Sequence, residues 1–201
     1  MDIICLDLEG TLVPEIWISF SEKTGIEQLK ITTRDEPDYD KLMRYRMDIL
    51  RHHHLGLKDI QAVIGTMAPL DGAKAFLDDL RRRTQVVILS DTFSEFAGPL
   101  MEKLGWPMIM CNSLRVDEAG MISDYVMRLQ DGKRKEIQAF KRLNYRTFAA
   151  GDSYNDLTMI HEADGGCLFR APQKILEEEP GLRIAQTYDE FSTIIRSFLA
   201  K

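Results

Sequence analysis

The stretch IICLDLEGTL, residues 3–12, places an apolar run directly before two acids and a glycine. Four apolar residues that end in a turn indicate a strand buried on both faces, as in a parallel sheet. Asp7 follows this run, Glu9 comes two residues later, and Gly10 and Thr11 come next. Ligands of open α/β sheets bind beyond the carboxyl ends of the strands. Asp7 and Glu9 are therefore the first candidate functional residues.

Further short apolar runs repeat this pattern, and helical patterns separate most of them. The runs are VVIL at 86–89, PMIM at 107–110, TFAA at 147–150 and CLF at 167–169. Between two of them, Phe96, Leu100 and Leu104 lie on one helical face, and Gly105 is placed as a C-cap. Strands that alternate with helices predict an α/β, doubly wound core with a mainly parallel sheet.

Residues 14–69 interrupt this alternation. No strand pattern stands out there, while YDKLMRYRMDIL at 39–50 has an apolar residue at about every helical turn. We therefore expect a helical cap domain at 14–69, inserted after the first strand of a catalytic core made of 1–13 and 70–201. Two strand-like pieces flank an Ala-Gly turn at 114–127 and predict a β-hairpin.

Composition and charge narrow the function classes. The 201 residues are 44% hydrophobic, which fits one large domain or a domain with an insertion. A net charge of -6 argues against broad binding to nucleic acid, which needs a basic face. No apolar run approaches the roughly 20 residues of a membrane span, and no signal-peptide pattern is present. We expect a cytoplasmic protein without nucleic-acid or membrane partners, as a monomer or a homodimer.

Polar residues follow three of the predicted strands at the points where they end. They are Asp7 after the first, Ser90 and Asp91 after VVIL, and Asp152, Asn155 and Asp156 after TFAA; Lys133 precedes a helix. Each residue alone is unremarkable, since strand-end acids often cap helices. One chemistry explains the whole set, namely phosphoryl transfer through an aspartyl phosphate.

That chemistry assigns a role to each group. Asp7 would be the nucleophile, and Mg²⁺ held by Asp7, Asp152 and the carbonyl of Glu9 would reduce the repulsion between carboxylate and phosphate. Lys133 would neutralise the nucleophile and the phosphoryl oxygens, while Ser90 and the backbone near Gly10 and Thr11 would bind the other oxygens. Glu9 would protonate the leaving alcohol and then deprotonate the acceptor.

These residues also carry a resemblance. DLEGT, the strand end at Ser90, Lys133 and GDSYND at 151–156 resemble, in order and spacing, the four motifs of the haloacid dehalogenase superfamily. The phosphoserine phosphatase branch is the most similar, because it has a helical cap after DxxxTLV. The resemblance implies a Mg²⁺-dependent phosphatase for the small molecule phosphoserine, with a place in serine or threonine biosynthesis.

The resemblance also implies further site residues. Asp156 would be a metal ligand and, with Asn155, would order the surroundings of the metal; Glu15 and Arg46 would grip the amino acid. Glu9 stands where these phosphatases usually carry aspartate, and Asp91 stands where they carry glycine. Both departures resemble the phosphoserine/homoserine phosphotransferase variety, so homoserine is an expected second acceptor.

Two other functions remain open from the residues alone. The first is a phosphatase for another small phosphate ester, because the cap sets the specificity. The second, from another class, is a signalling receiver domain with a phosphoacceptor aspartate. Receiver domains pair adjacent acids at the first strand and have no helical insertion after it, so the pattern favours an enzyme.

Overall fold

The computed structural model describes residues 1–32, 35–36 and 38–201, and the strands among them form one sheet. The strands are β1 (Asp2–Leu6), β2 (Gln85–Phe93), β3 (Met108–Val116), β4 (Ile122–Val126), β5 (Arg146–Gly151), β6 (Gly165–Phe169) and β7 (Arg183–Ala185). They lie in the order β4-β3-β2-β1-β5-β6-β7. Neighbouring strands run parallel except β3 and β4, which form the expected antiparallel hairpin.

Helices connect the strands and cover the sheet. They are α1 (Ile16–Thr24), α2 (Tyr39–His52), α3 (Leu57–Thr66), α4 (Ala73–Arg81), α5 (Ser94–Leu104), α6 (Gly132–Arg142), α7 (Tyr154–Glu162), α8 (Gln173–Glu178) and α9 (Tyr188–Leu199), with a 3₁₀ turn at Glu27–Lys30. Gly105 caps α5 in the left-handed conformation, as predicted. None of the helices in the described part of the chain has an apolar stretch long enough to cross a bilayer.

Strand β1 shows why the core has two sides. Ile4 and Leu6 pack into one apolar cluster, and Ile3 and Cys5 pack into the other. Alternate residues of a strand point to opposite faces, so β1 is buried between helices on both sides. The predicted doubly wound α/β fold is therefore confirmed.

The position of β1 in the sheet brings the polar strand ends together. It lies between β2 and β5, and Leu6 pairs with Ile88 on one side and Ala150 on the other. The residues that follow these positions therefore meet at one edge. Strand β2 continues to Phe93, past the expected end at Leu89, through a shift in register against β3. Ser90 and Asp91 consequently lie on an irregular part of β2 and not after it.

Two of the helices between β1 and α4, namely α2 and α3, contact the β3–β4 hairpin. Leu57 N–H, at the start of α3, donates to the carbonyl of Gly120 in the hairpin turn at 2.9 Å. The Tyr125 hydroxyl on β4 donates to Asp40 at 2.6 Å, and its ring meets that of Tyr39 edge to face. Helix α2 is thereby anchored with its N-terminus beside the carboxyl end of β2.

Candidate active site

A buried ion cluster lies at the carboxyl end of β1. Lys133 Nζ donates to Asp7 Oδ1 at 2.8 Å and to Asp156 Oδ1 at 2.7 Å. Helix α6 begins at Gly132 and α7 at Tyr154, so Lys133 and Asp156 both lie in a first helical turn that faces β1. The lysine therefore ties α6, α7 and β1 together at one point.

Asp156 also fixes the loop that carries Asp152. Its Oδ2 accepts hydrogen bonds from the backbone N–H of Asp152 at 3.1 Å and of Ser153 at 3.0 Å. A Cβ atom on Gly151 would lie 2.2 Å from the Asp156 carboxyl carbon, so only glycine fits there. Both oxygens of Asp156 are used within the protein, and the loop is held rigidly.

Three carboxylates of this region converge. Oxygens of Asp7, Asp152 and Asp156 lie within 4.8 Å of one another, and all three residues are buried. Gly10, with φ of 74°, lies against them; a Cβ there would be 2.5 Å from the Asp152 carboxylate. Hard oxygen donors with excess negative charge are the ligands that Mg²⁺ prefers, so the donor set fits that ion.

The electrostatics of the cluster support a site for a metal cation. Burial raises the pKa of Asp7 well above its usual range, and the charges of Asp156 and Asp152 raise it further against the opposing effect of Lys133. Burial alone would lower the pKa of Lys133, but Asp156 and Asp7 outweigh it and the pKa is raised. The lysine stays charged, and a cation near Asp7 would favour the ionised carboxylate.

Glu9 faces away from these carboxylates, towards the start of α1. Its Oε2 accepts a hydrogen bond from Ile16 N–H at 2.9 Å. Burial, together with the charge of Glu15, raises the pKa of Glu9 to about 8, although the Ile16 hydrogen bond and Arg46 lower it. Glu9 is therefore protonated at neutral pH in the absence of a ligand.

Arg46 lies buried on α2, on the same side as Glu9. Its guanidinium stacks 4.6 Å from the ring centroid of Trp17 and donates to the carbonyl of Ile31 at 2.8 Å. Its Nε is buried and has no hydrogen-bond partner among the described residues. Burial lowers the pKa of Arg46 to about 10, which still leaves it cationic at neutral pH. An unpartnered cationic donor of this kind suits an anionic ligand.

These groups enclose a cavity of about 280 Å³. Most of the residues predicted from the sequence line it, namely Asp7, Glu9, Gly10, Glu15, Arg46, Ser90, Asp91, Lys133, Asp152 and Asn155. Asp156 and Thr11 do not. Asp156 is buried beneath the floor, and Thr11 is fully buried with its carbonyl accepting from Tyr188 OH at 2.8 Å.

The wall formed by β2 is also hydrogen-bonded. Ser90 Oγ accepts a hydrogen bond from the backbone N–H of Thr92 at 3.2 Å. The hydroxyl proton of Ser90 therefore points away from that N–H. The Asp91 carboxylate accepts from Asn155 Nδ2 at 2.7 Å. Sequence reasoning missed Trp17, Thr32 and Tyr39, which also line the cavity. A tryptophan that packs under an arginine leaves no mark in hydrophobic periodicity.

Comparisons with known proteins identify the family of this chain. The sequence model of the haloacid dehalogenase-like hydrolase family matches residues 1–164. The chain belongs to this family. It is 57% identical over 190 residues to a phosphoserine phosphatase of Pseudomonas syringae pv. tomato, covering 94% of this chain and 80% of that protein. It is 55% identical over 199 residues to phosphoserine phosphatase ThrH of Pseudomonas aeruginosa, covering 99% and 96%.

Solved structures confirm the fold of this family member. A phospho-aspartyl intermediate analogue of phosphoserine phosphatase matches with a TM-score of 0.76 and 22% identity, covering 100% of this chain and 98% of that one. An apo phosphoserine phosphatase matches with a TM-score of 0.75 and 23% identity, covering 92% and 94%. The resemblance read from the four motifs is thus confirmed, as is the family fold.

Proposed function

We propose that this protein is a Mg²⁺-dependent phosphoserine phosphatase that forms an aspartyl phosphate on Asp7. The observation that carries the proposal is the position of Asp7, which is bonded to Lys133 and lies beside Asp152 on the floor of the cavity. The two relatives of 55% and 57% identity, both named phosphoserine phosphatases, supply the substrate.

The nucleophilic step uses the charges at the floor. Asp7, Asp152 and the carbonyl of Glu9 would hold Mg²⁺, which would supply positive charge that reduces the repulsion between carboxylate and phosphate. An oxygen of Asp7 attacks phosphorus, and the bond from phosphorus to the serine oxygen breaks. Lys133 stays bonded to Asp7 and stabilises the charge on the phosphoryl oxygens, with the Ser90 hydroxyl as a further donor. The resemblance implies Asp156 as a metal ligand, but both of its oxygens accept hydrogen bonds within the protein, so we propose that it positions Lys133 and the Asp152 loop instead.

Glu9 supplies and removes the proton. With a pKa of about 8 it is protonated at neutral pH, so it can protonate the departing serine oxygen. The resulting carboxylate then takes the proton of the acceptor hydroxyl as that oxygen attacks phosphorus and releases Asp7. The same group thus acts first as an acid and then as a base.

The groups beneath α2 bind the amino-acid part of the substrate. Arg46, whose buried Nε has no partner among the described residues, would bind the carboxylate, and Glu15 would bind the ammonium group. Both belong to residues 14–69, which we propose as a cap domain over a core of 1–13 and 70–201. We also propose that the enzyme is cytoplasmic.

Homoserine is the proposed second acceptor. Glu9 is one methylene longer than aspartate, so its oxygen reaches further and can favour an alcohol over water. The test is Glu9→Asp, with the ratio of phosphohomoserine to phosphate measured at fixed homoserine. An unchanged ratio in an active variant would show that the reach of this carboxylate does not select the acceptor.

One incubation tests the proposed reaction, its substrate and its second acceptor. The protein is mixed with phosphoserine and Mg²⁺, with and without homoserine, and phosphate and phosphohomoserine are followed by phosphorus NMR. We expect multiple turnovers in both mixtures and phosphohomoserine only in the second. A lack of turnover on phosphoserine, with turnover on another phosphate ester, would leave the family chemistry but replace the substrate. A single turnover would instead indicate a phosphoacceptor module.

A further inference from the structure

A second cavity adjoins the first. It measures about 460 Å³ and has part of its lining from Met127, Asp131, Tyr154 and Thr158. The two cavities share Tyr39, Asp91, Lys133 and Asn155 as lining residues. Among these four, Asp91 is the negatively charged residue. Its carboxylate therefore lies at the boundary that a ligand of the inner cavity faces.

Asp91 is held firmly in this place. Its carbonyl accepts hydrogen bonds from the Tyr39 hydroxyl at 3.3 Å and from Asn112 Nδ2 at 3.2 Å, so α2 and β3 both fix its backbone. Its carboxylate accepts from Asn155 Nδ2 at 2.7 Å and lies 3.7 Å from Lys133 Nζ. The side chain is 39% exposed, so it is partly hydrated but restrained.

The position of the Asp91 carboxylate weakens the binding of phosphate. Lys133 is the cation that neutralises phosphoryl oxygens, and a carboxylate beside it repels a phosphate dianion at the same place. At separations of about 5 Å and with partial screening by solvent, one such charge changes the affinity for a dianion by about five- to tenfold. Inorganic phosphate therefore binds less tightly than Lys133 and Mg²⁺ alone would allow.

A ligand that also carries an ammonium group is attracted by Asp91 and so regains the affinity that its phosphate loses. A sphere of 280 Å³ is roughly 8 Å across, which is about one Debye length at physiological ionic strength. A cationic group anywhere in the cavity therefore feels the charge of Asp91, which is less screened there than in bulk water. The attraction of the ammonium group offsets the repulsion of the phosphate, but only for a ligand that carries both groups.

We propose that Asp91 is a specificity residue that selects phosphate esters bearing an ammonium group over those without one, and over inorganic phosphate. The proposal rests on the proposed function, since it adds an anionic group beside Lys133 to the site in which Glu15 would bind the ammonium group. It differs from a purely structural role of Asp91, in which the carboxylate would only orient Asn155.

The variant Asp91→Asn separates these roles, because the asparagine oxygen can still accept from Asn155 while the charge is removed. We measure kcat/KM for phosphoserine and for its deamino analogue, 3-phosphooxypropanoate, and the inhibition constant of inorganic phosphate. The ratio of the two kcat/KM values is expected to fall about tenfold, and phosphate is expected to inhibit about five- to tenfold more tightly. Asp91→Glu, which keeps the charge, is expected to retain most of the native ratio.

Asp131→Asn is the matched control. Asp131 lines the outer cavity but not the inner one, so its loss should change the ratio less than twofold. If Asp91→Asn tightens phosphate but leaves the ratio unchanged, the carboxylate acts on the phosphate alone and the selection of ammonium is wrong. If neither quantity changes, the role of Asp91 is structural.

A failure of the proposed function would look different. Native protein that does not turn over phosphoserine refutes the function, and dissociation constants of phosphoserine and its deamino analogue, measured by calorimetry with Mg²⁺, then replace the kinetic ratio. A native preference for phosphoserine that Asp91→Asn abolishes supports the selection. Equal binding of both ligands by the native protein overturns it.

Discussion

The two ends of the mainly parallel sheet differ in how their carboxylates are paired. At the amino end, Asp2 accepts two hydrogen bonds from the guanidinium of Arg146 at 2.8 and 3.0 Å, and Asp164 accepts from the backbone and hydroxyl of Thr147 at 2.8 and 3.0 Å. Each of these carboxylates has donors of its own. At the carboxyl end, several carboxylates converge on the single ammonium of Lys133.

The pKa shifts follow this difference. The hydrogen bond from Arg146 lowers the pKa of Asp2. Burial works against Asp164, but the Thr147 hydrogen bonds and Lys141 outweigh it and the pKa is lowered. At the other end, burial raises the pKa of Asp7, and that of Glu9 to about 8. The paired carboxylates at the amino end stabilise the fold. The excess negative charge at the carboxyl end lowers stability but is available for the reaction.

Asp7→Asn is expected to have the largest effect. Loss of the nucleophile should lower kcat for phosphoserine by at least about 10⁴-fold, as for other covalent catalysts. Because the folded protein holds the Asp7 proton more tightly than the unfolded chain, metal-free stability should fall as pH rises above about 4, the ordinary aspartate pKa. The variant should lack this contribution and melt at a higher temperature without metal at pH 7.

A folded Asp7→Asn protein that keeps phosphatase activity would rule out the covalent mechanism. Calorimetric melting with EDTA and with Mg²⁺ provides the second readout. Native protein should gain stability on addition of Mg²⁺, and Asp7→Asn should gain less.

Glu9→Gln should have the next largest effect, on rate and on pH dependence. Removing a general acid costs roughly 10² to 10³ in kcat. The raised pKa places the loss of the acidic proton near pH 8, so kcat/KM of the native protein should fall above about pH 8. The variant should lack this alkaline limb. Glu136→Gln, a buried glutamate outside the cavity, should keep it; an alkaline limb in Glu9→Gln would assign the titration to another group.

The strand ends that carry the chemistry were predictable because two physical rules coincide. Short apolar runs buried on both faces identify β1 and β5, and the carboxyl ends of parallel strands share an edge, so Asp7 and Asp152 were expected to lie close together. Strand β7 was not predicted, because it is only three residues long and its Arg183 and Ile184 are exposed. No apolar run marks such an edge strand.

The contacts that cross between distant segments could not be predicted. Ile16 N–H reaches Glu9 only because α1 begins where the chain turns back towards β1, and Trp17 then lies under Arg46. The Asp91–Asn155 hydrogen bond joins the irregular part of β2 to the first turn of α7. A pattern of apolar residues gives the face of each element but not the loop conformation that joins these side chains.

A pair of alanine substitutions compares the two ends directly. A methyl group on Gly10 would meet the Asp152 carboxylate at 2.5 Å, whereas one on Gly165 would meet the Phe198 ring at 2.8 Å. We expect Gly10→Ala to lower kcat/KM about ten- to 100-fold and to weaken Mg²⁺ binding. Gly165→Ala should cost about 1–3 kcal/mol of unfolding free energy through overpacking, with kcat unchanged. Gly181→Ala, where a methyl group meets open space, is the control.

Asp2→Asn should have the smallest effect, confined to stability. The Asp2 and Arg146 side chains are 23% and 33% exposed, so solvent screens the pair and its contribution to stability is small. The folded pKa of Asp2 lies below the unfolded value, so this stability is present above about pH 4 and disappears as pH falls through the folded pKa. Urea unfolding should therefore separate variant from native protein at pH 7 but less so at pH 3. A lower kcat in this variant would mean that charge at the amino end also serves the reaction, and the contrast between the two ends would fail.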